Sequence, residues 1–140
     1  MAAPAKSITL AHYQTLAALR RALRRFLRFS QEAARAAHIP PQQHQALLAL
    51  KGGPPGGCLS MRELAEHLYV KHHSAVGLVD RLVRRGLVRR KTSAADRRRV
   101  ELRLTVRGEA LIRRISAAHL EELRQIRPEL RRILRLIEQP

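Results

Sequence analysis

Residues 70–90 read VKHHSAVGLVDRLVRRGLVRR. Valine and leucine recur in this stretch as they do on a buried helix face. The same residues carry five arginines, a lysine, two adjacent histidines and a glycine. On a helical wheel of about 100° per residue, Ala75, Val76, Leu78, Val79, Leu82 and Val83 share an arc of roughly 160°. His73, Ser74, Gly77, Asp80, Arg81 and Arg84 share an opposing arc of roughly 120°. The two sets do not mix, so a helix here buries one side and offers positive charge on the other. Gly86 ends it.

Upstream, Ser60-Met61-Arg62-Glu63 is a capping box: the serine covers a free backbone N–H and the glutamate reaches back to the serine's own. It starts a helix through about Leu68, with Leu64, Ala65 and Leu68 inward. Tyr69, Val70 and Lys71 leave room only for a tight turn before the basic helix. A capped helix, a tight turn and an amphipathic basic helix make a helix-turn-helix.

Downstream of Gly86 the period changes from helical to alternating. Residues 87–91 form one strand. In a second, Val100, Leu102 and Leu104 alternate with Arg99, Glu101 and Arg103. Residues 92–98 between them are a hairpin loop with a basic tip, which is a wing.

The flanks are helical. From Ile8 to about His38, Leu16, Leu19, Leu23, Phe26 and Leu27 form one stripe, and Arg20, Arg24 and Arg28 another. Pro40-Pro41 stops the chain and restarts it as a short helix over 42–50, with Ala46, Leu47 and Leu50 inward. The glycine- and proline-rich residues 52–57 are a loop. Thr105 caps a last pair of helices, Val106 to about Arg127 and, after a break at Pro128, a short segment to Glu138.

Charge is the strongest global fact: 28 Lys+Arg against 11 Asp+Glu, a net +17 over 140 residues. Such an excess points to a polyanionic partner, nucleic acid first and an anionic membrane surface second. A genome rich in arginine codons is the bland alternative, and distribution decides between them. Residues 71–107 hold 12 basic and 3 acidic residues, whereas 108–140 hold 7 against 5. Codon bias would not concentrate the excess in this way. No apolar run reaches the ~18 residues of a membrane span. The first residues lack the pattern of a secretory signal, so the expected location is cytoplasmic. The single cysteine, Cys58, excludes an internal disulfide. No metal-ligand or cofactor spacing appears, and no catalytic constellation suggests an enzyme.

The segments "ELAEHL" (Glu63–Leu68), "VDRLVRRGLVRR" (Val79–Arg90) and "DRRRVELRLTVRGEAL" (Asp96–Leu111), in this order and spacing, resemble the MarR winged helix-turn-helix transcription factors. Asp96 and Arg98, then Leu104-Thr105 and Gly108, match that family's wing-to-helix signature. The resemblance implies a mainly α fold with a small β-hairpin wing and an intertwined helical dimerisation region. It assigns 8–38 and 105–140 to dimerisation and 40–104 to the DNA-binding lobe, with the recognition helix about 72–85 and the wing about 87–104. It implies a homodimer on double-stranded DNA, the recognition helices in major grooves and the wings in flanking minor grooves. Many members are repressors released by a small anionic or phenolic effector.

Lys71, His72, His73 and Ser74 lie where a recognition helix starts, so side chains and free N–H groups there meet phosphates and base edges. Solvated surface is the plain alternative. Adjacent histidines point about 100° apart on a helix, which disfavours a shared metal. Gly77 fits a close approach to DNA or a helix–helix contact. Arg81 and Arg84 suit phosphate or guanine, or are solvated, and Asp80 is placed to pair with one of them. Arg98 matches the minor-groove wing arginine, with Arg97 and Arg99 beside it, and Asp96 the residue that holds the wing by pairing with an arginine. Arg20, Arg24 and Arg28 suit an anionic effector, solvent, or acids across a dimer. Cys58 is expected to be a buried, inert thiol. The resulting expectation is a sequence-specific, ligand-responsive repressor that binds a palindromic operator. A sequence-indifferent, chromatin-like DNA-binding protein is the alternative, because charge alone drives binding.

Overall fold

The computed structural model describes residues 7–53 and 57–138. Its elements run α1 (Leu10–Ala36), α2 (Pro41–Gly52), β1 (Cys58–Leu59), α3 (Met61–Leu68), α4 (His72–Arg84), β2 (Val88–Thr92), β3 (Val100–Leu104) and α5 (Val106–Glu138). The middle of the expected 52–57 loop, residues 54–56, lies outside the described residues. Gln31–Ala118 forms one compact unit, and the chain up to Ser30 and from His119 forms the other.

In the first unit, α2, α3 and α4 surround a core that the antiparallel sheet closes in the order β1-β3-β2. Leu47, Leu50, Leu64, Val79, Leu82, Leu102 and Ile112 are fully buried there. Burying a leucine or isoleucine contributes about 1.5–3 kcal/mol, so this cluster outweighs any single surface contact. Strands β2 and β3 pair Val88 with Leu104 and Thr92 with Val100, which places Leu102 and Leu104 inward. Val100, expected inward by alternation, is exposed instead, because the hairpin has by then run past the core beneath it. Leu68 is half-buried rather than buried, since it closes the last turn of α3 at the edge of the cluster.

Three helices end alike. Leu87 N–H donates to Leu82 O (3.0 Å) and Gly86 N–H to Val83 O (2.9 Å), with Gly86 at φ +70°. This is a Schellman cap, and glycine takes its left-handed residue without strain. The ends of α1 and α3 have the same bonds, but with His38 (φ 58°) and Tyr69 (φ 54°) in the left-handed position.

In the second unit, Ala22, Ile126 and Ile133 are buried. His119 is buried against the edges of Phe26 and Phe29, its Nε2 2.8 Å from the Ser30 hydroxyl. Arg25 donates to Glu122 at 3.3 Å. Much of the expected α1 stripe is not covered: Leu16, Leu23 and Leu27 are all at least half exposed. Pro128 does not break the chain into two helices, and α5 continues through it. A proline deletes one backbone bond, and here Ile126 and Ile133 are buried on either side of it, so packing holds the helix together across the gap.

Candidate nucleic-acid interface

The capping box forms as its sequence requires. Glu63 N–H donates to Ser60 Oγ (3.2 Å), and Ser60 N–H to Glu63 Oε1 (3.4 Å). The box fixes where α3 begins, and Ala75, Leu78, Val79 and Leu82 bury the inner face of α4 against the same core. The outer face is thereby set. Residues 69–74 are exposed without interruption, and so are residues 94–100 at the wing. Lys71 is the N-cap of α4 with no side-chain cap bond, so the first N–H groups of the helix face outward with His72, His73 and Ser74.

A Cβ placed on Gly77 would meet only the Arg81 Nη2 atom, at 4.0 Å. No other helix of the described chain packs against Gly77, which removes the intramolecular alternative for this glycine. Arg81 and Arg84 are exposed on the same face. Asp80 pairs with Arg90 of β2, not with either of them, because the wing strand passes beside this turn of the helix.

At the wing tip, Asp96 does not pair with an arginine side chain among the described residues. Its Oδ1 accepts the backbone N–H of Arg98 at 3.0 Å, and its own N–H donates to Ser93 Oγ at 3.3 Å. An aspartate reaches the N–H two residues on with little cost in side-chain entropy, so the local turn wins over a distant guanidinium. Arg97 and Arg98 are left exposed at the tip. Arg99, grouped with them in the sequence, is instead paired to Glu63 across the lobe. The Ser60 cap and the Arg99 guanidinium hold the Glu63 carboxyl below the usual carboxylate range, against a smaller desolvation effect.

That direction fixes a pH dependence. A depressed native pKa stabilises the fold above the ordinary glutamate range and loses this effect as pH falls through the native value. Glu63→Gln keeps a capping side chain but removes the charge. Its melting temperature is therefore expected to track the wild type once pH has fallen below the native Glu63 value and to fall below it above pH ~5. Parallel melting curves at every pH would show that the Glu63 charge, at the Ser60 cap and beside Arg99, contributes nothing.

Arg85, which belongs to neither arc of the sequence reading, turns inward. Its Nη1 donates to Gln43 Oε1 (3.1 Å) and its Nη2 to His38 O (2.9 Å), tying the end of α4 to the α1–α2 corner. Cys58 is half-buried rather than buried, at the edge strand β1. The helical unit has a cavity of about 260 Å³ lined by Ala17, Ala18, Arg21, Glu129, Arg132 and Ile133. The row Arg20, Arg24 and Arg28 is exposed and does not line it. Among the described residues there is no cluster of histidine, cysteine and carboxylate side chains that fits a metal. No described helix is long and apolar enough to cross a membrane.

A family model described as "MarR family" matches residues 37–99, the stretch from α2 to the tip of the wing, short of β3. No curated protein sequence matches significantly. Among solved structures, NadR in complex with 4-hydroxyphenylacetate is 27% identical with a TM-score of 0.69, over 99% of this chain and 93% of that one. Wild-type MarR from E. coli is 21% identical with a TM-score of 0.71, over 96% and 100% of the two chains. A MepR variant from S. aureus bound to an oligodeoxyribonucleotide is 21% identical with a TM-score of 0.66, over 94% and 100%. The latter two share the fold. A capped helix-turn-helix, a basic outer face and a wing coincide with the stretch that the family model matches: residues 37–99 are similar to the MarR family, and the chain has the winged-helix fold of wild-type MarR from E. coli.

Proposed function

We propose that the protein is a homodimeric, sequence-specific repressor that binds a palindromic operator in the cytoplasm and responds to a small anionic or phenolic effector. One observation carries the DNA reading. The residues exposed without interruption on the lobe, 69–74 and 94–100, are those expected at the major and minor grooves, and a shared core holds both segments. In this reading Lys71, His72, His73, Ser74, Gly77, Arg81 and Arg84 meet the major groove and its phosphates. Arg97 and Arg98 enter the minor groove, Asp96 shapes the tip that presents them, and Arg99 braces the wing against α3.

The homodimer is supported by the apolar surface of the helical unit, where Leu10, Leu16, Leu23, Leu27, Leu120, Leu134 and Ile137 are each at least half exposed. Monomeric proteins rarely leave so many large apolar side chains on one pair of helices uncovered. The effector reading rests on NadR, whose structure holds 4-hydroxyphenylacetate, and on the exposed cations Arg20, Arg24 and Arg28 of α1. Repression and the palindrome follow from the family reading and from two-fold symmetry.

The test separates base reading from charge. Arg98→Ala is expected to cost about 1–3 kcal/mol of binding and to lower the salt slope by about one unit. Its loss of preference should fall at A·T-rich flanks, because the minor groove distinguishes little beyond A·T from G·C. Gly77→Leu meets open space in the free protein, so it is expected to fold at least as well as wild type. On a duplex selected from the source genome it should bind much more weakly, and on a scrambled duplex nearly as before. Fluorescence anisotropy across salt reads both. Equal losses on the two duplexes would support the chromatin-like alternative.

A further inference from the structure

Resting on the DNA-binding reading of this face, we propose that Tyr69 donates its phenol hydroxyl to a backbone phosphate and anchors the start of the recognition helix on the duplex. Tyr69 lies in the turn between α3 and α4 and is 96% exposed, more than any other large apolar or aromatic side chain described. It is also held at φ 54°, ψ 41°, the left-handed region that a bulky side chain rarely adopts.

The backbone alone does not call for a tyrosine here. The cap needs only the Tyr69 N–H to Glu66 O (3.2 Å) and the Val70 N–H to Ala65 O (3.0 Å). Any residue supplies these, and glycine does so without strain, as Gly86 does at the end of α4. The position therefore carries two costs, a strained backbone and an aromatic ring in water. No hydrogen bond or ring contact from the phenol to a described residue offsets them. Strain without an intramolecular return points to an external partner.

The surroundings select a phosphate. Lys71 follows two residues on, and the exposed run continues through His72, His73 and Ser74. The two carboxylates that line the same open groove as Tyr69 are already held by cations, Glu66 by Arg62 (3.1 Å) and Glu63 by Arg99. The phenol O–H has no acceptor among the described residues, and phosphate oxygens are the acceptors a duplex brings.

His38 provides a control. It has the same left-handed backbone and the same cap, and its role in the fold is its carbonyl, which accepts from Arg85 and which glycine retains. The experiment compares wild type, Tyr69→Phe, Tyr69→Gly and His38→Gly by thermal melting and by anisotropy on a random-sequence duplex of about three helical turns. Both glycine variants are expected to melt a few degrees higher, since each relieves the same strain. Tyr69→Phe should melt as wild type and bind about tenfold more weakly for each protomer on the duplex, the loss typical of one hydrogen bond to a charged acceptor. Tyr69→Gly should show at least that loss, and His38→Gly none. The salt slope should be unchanged in all, because a phenol displaces no counterion.

Binding of Tyr69→Phe within twofold of wild type would overturn the proposal, and so would an equal loss in His38→Gly. A wild-type protein that binds no duplex at any salt would overturn the DNA-binding reading itself. That outcome is distinct from one in which wild type and variants bind alike.

Discussion

Gly108→Ala is expected to destabilise the protein by about 3 kcal/mol or more and to lower its melting temperature by roughly 10 °C. Gly108 sits in the first turn of α5, where the helix leaves the wing. A Cβ there would overlap the Leu87 carbonyl oxygen and lie 3.1 Å from the carbonyl carbon. That obstacle is backbone, and it is held from several sides. Leu87 O accepts the Thr105 N–H at 3.0 Å, Leu87 N–H donates to Leu82 O at 3.0 Å, and the Leu87 side chain is buried in the core. The Thr105 hydroxyl bonds Gly86 O at 2.6 Å and accepts the Gly108 N–H at 3.1 Å, so α5 cannot slide away without breaking its own cap. Helix propensity alone would favour alanine by up to about 1 kcal/mol, and the overlap is expected to reverse that sign. Circular dichroism melts decide it: an alanine variant that melts with the wild type would mean the corner relaxes freely.

Placing aspartate at both Leu16 and Leu134 is expected to turn the proposed dimer into a folded monomer and to weaken binding to the proposed operator at least 100-fold. Within one protomer these side chains are 60% and 58% exposed, so a charge on either meets water and costs the lone chain little. In a two-fold interface each substitution occurs twice and buries an unpaired carboxylate both times, which costs several kcal/mol per site. Operator affinity falls with it because a monomer holds a single half-site. Light scattering should show half the wild-type mass while the helical signal persists. A variant that stays dimeric would move the interface elsewhere, and one that unfolds would make these leucines part of the protomer's own core. Removing residues 128–140 is expected to act in the same direction, since it deletes Leu134 and Ile137 together.

Much of the lobe was legible in the chain because its signals are local. The Ser60–Glu63 cap, the two arcs of residues 72–84, Gly86 and the switch to alternation at the wing each depend on side chains within a turn or two of one another. The structure forms the cap, the two arcs and the Gly86 end, and keeps the alternation at Leu102 and Leu104 but not at Val100. The outward placement of His73, Ser74, Arg81 and Arg84 followed from the same periodicity, because burying one arc of a helix exposes the other, and the hairpin loop between the strands put Arg97 and Arg98 at an exposed tip.

What only the tertiary structure decided involves partners far apart in sequence. Whether an arginine is a free cation or a strut depends on which acid or carbonyl folds beside it. Arg99 met Glu63, Arg90 met Asp80 and Arg85 met Gln43, while Arg98 met none of the described acids. Pro128 carries a local signal to stop a helix, and packing of the buried residues on either side overrode it. Gly108 matched a wing-to-helix signature in the sequence, but the reason for a glycine there emerged only with the Leu87 carbonyl placed against it. Tyr69 read as a turn residue, and its left-handed backbone and bare ring emerged only when α3 and α4 were fixed on one core. Local sequence sets periods, caps and which face is apolar. Where the charges and the strain come to lie is set by contacts that exist only after the chain has folded.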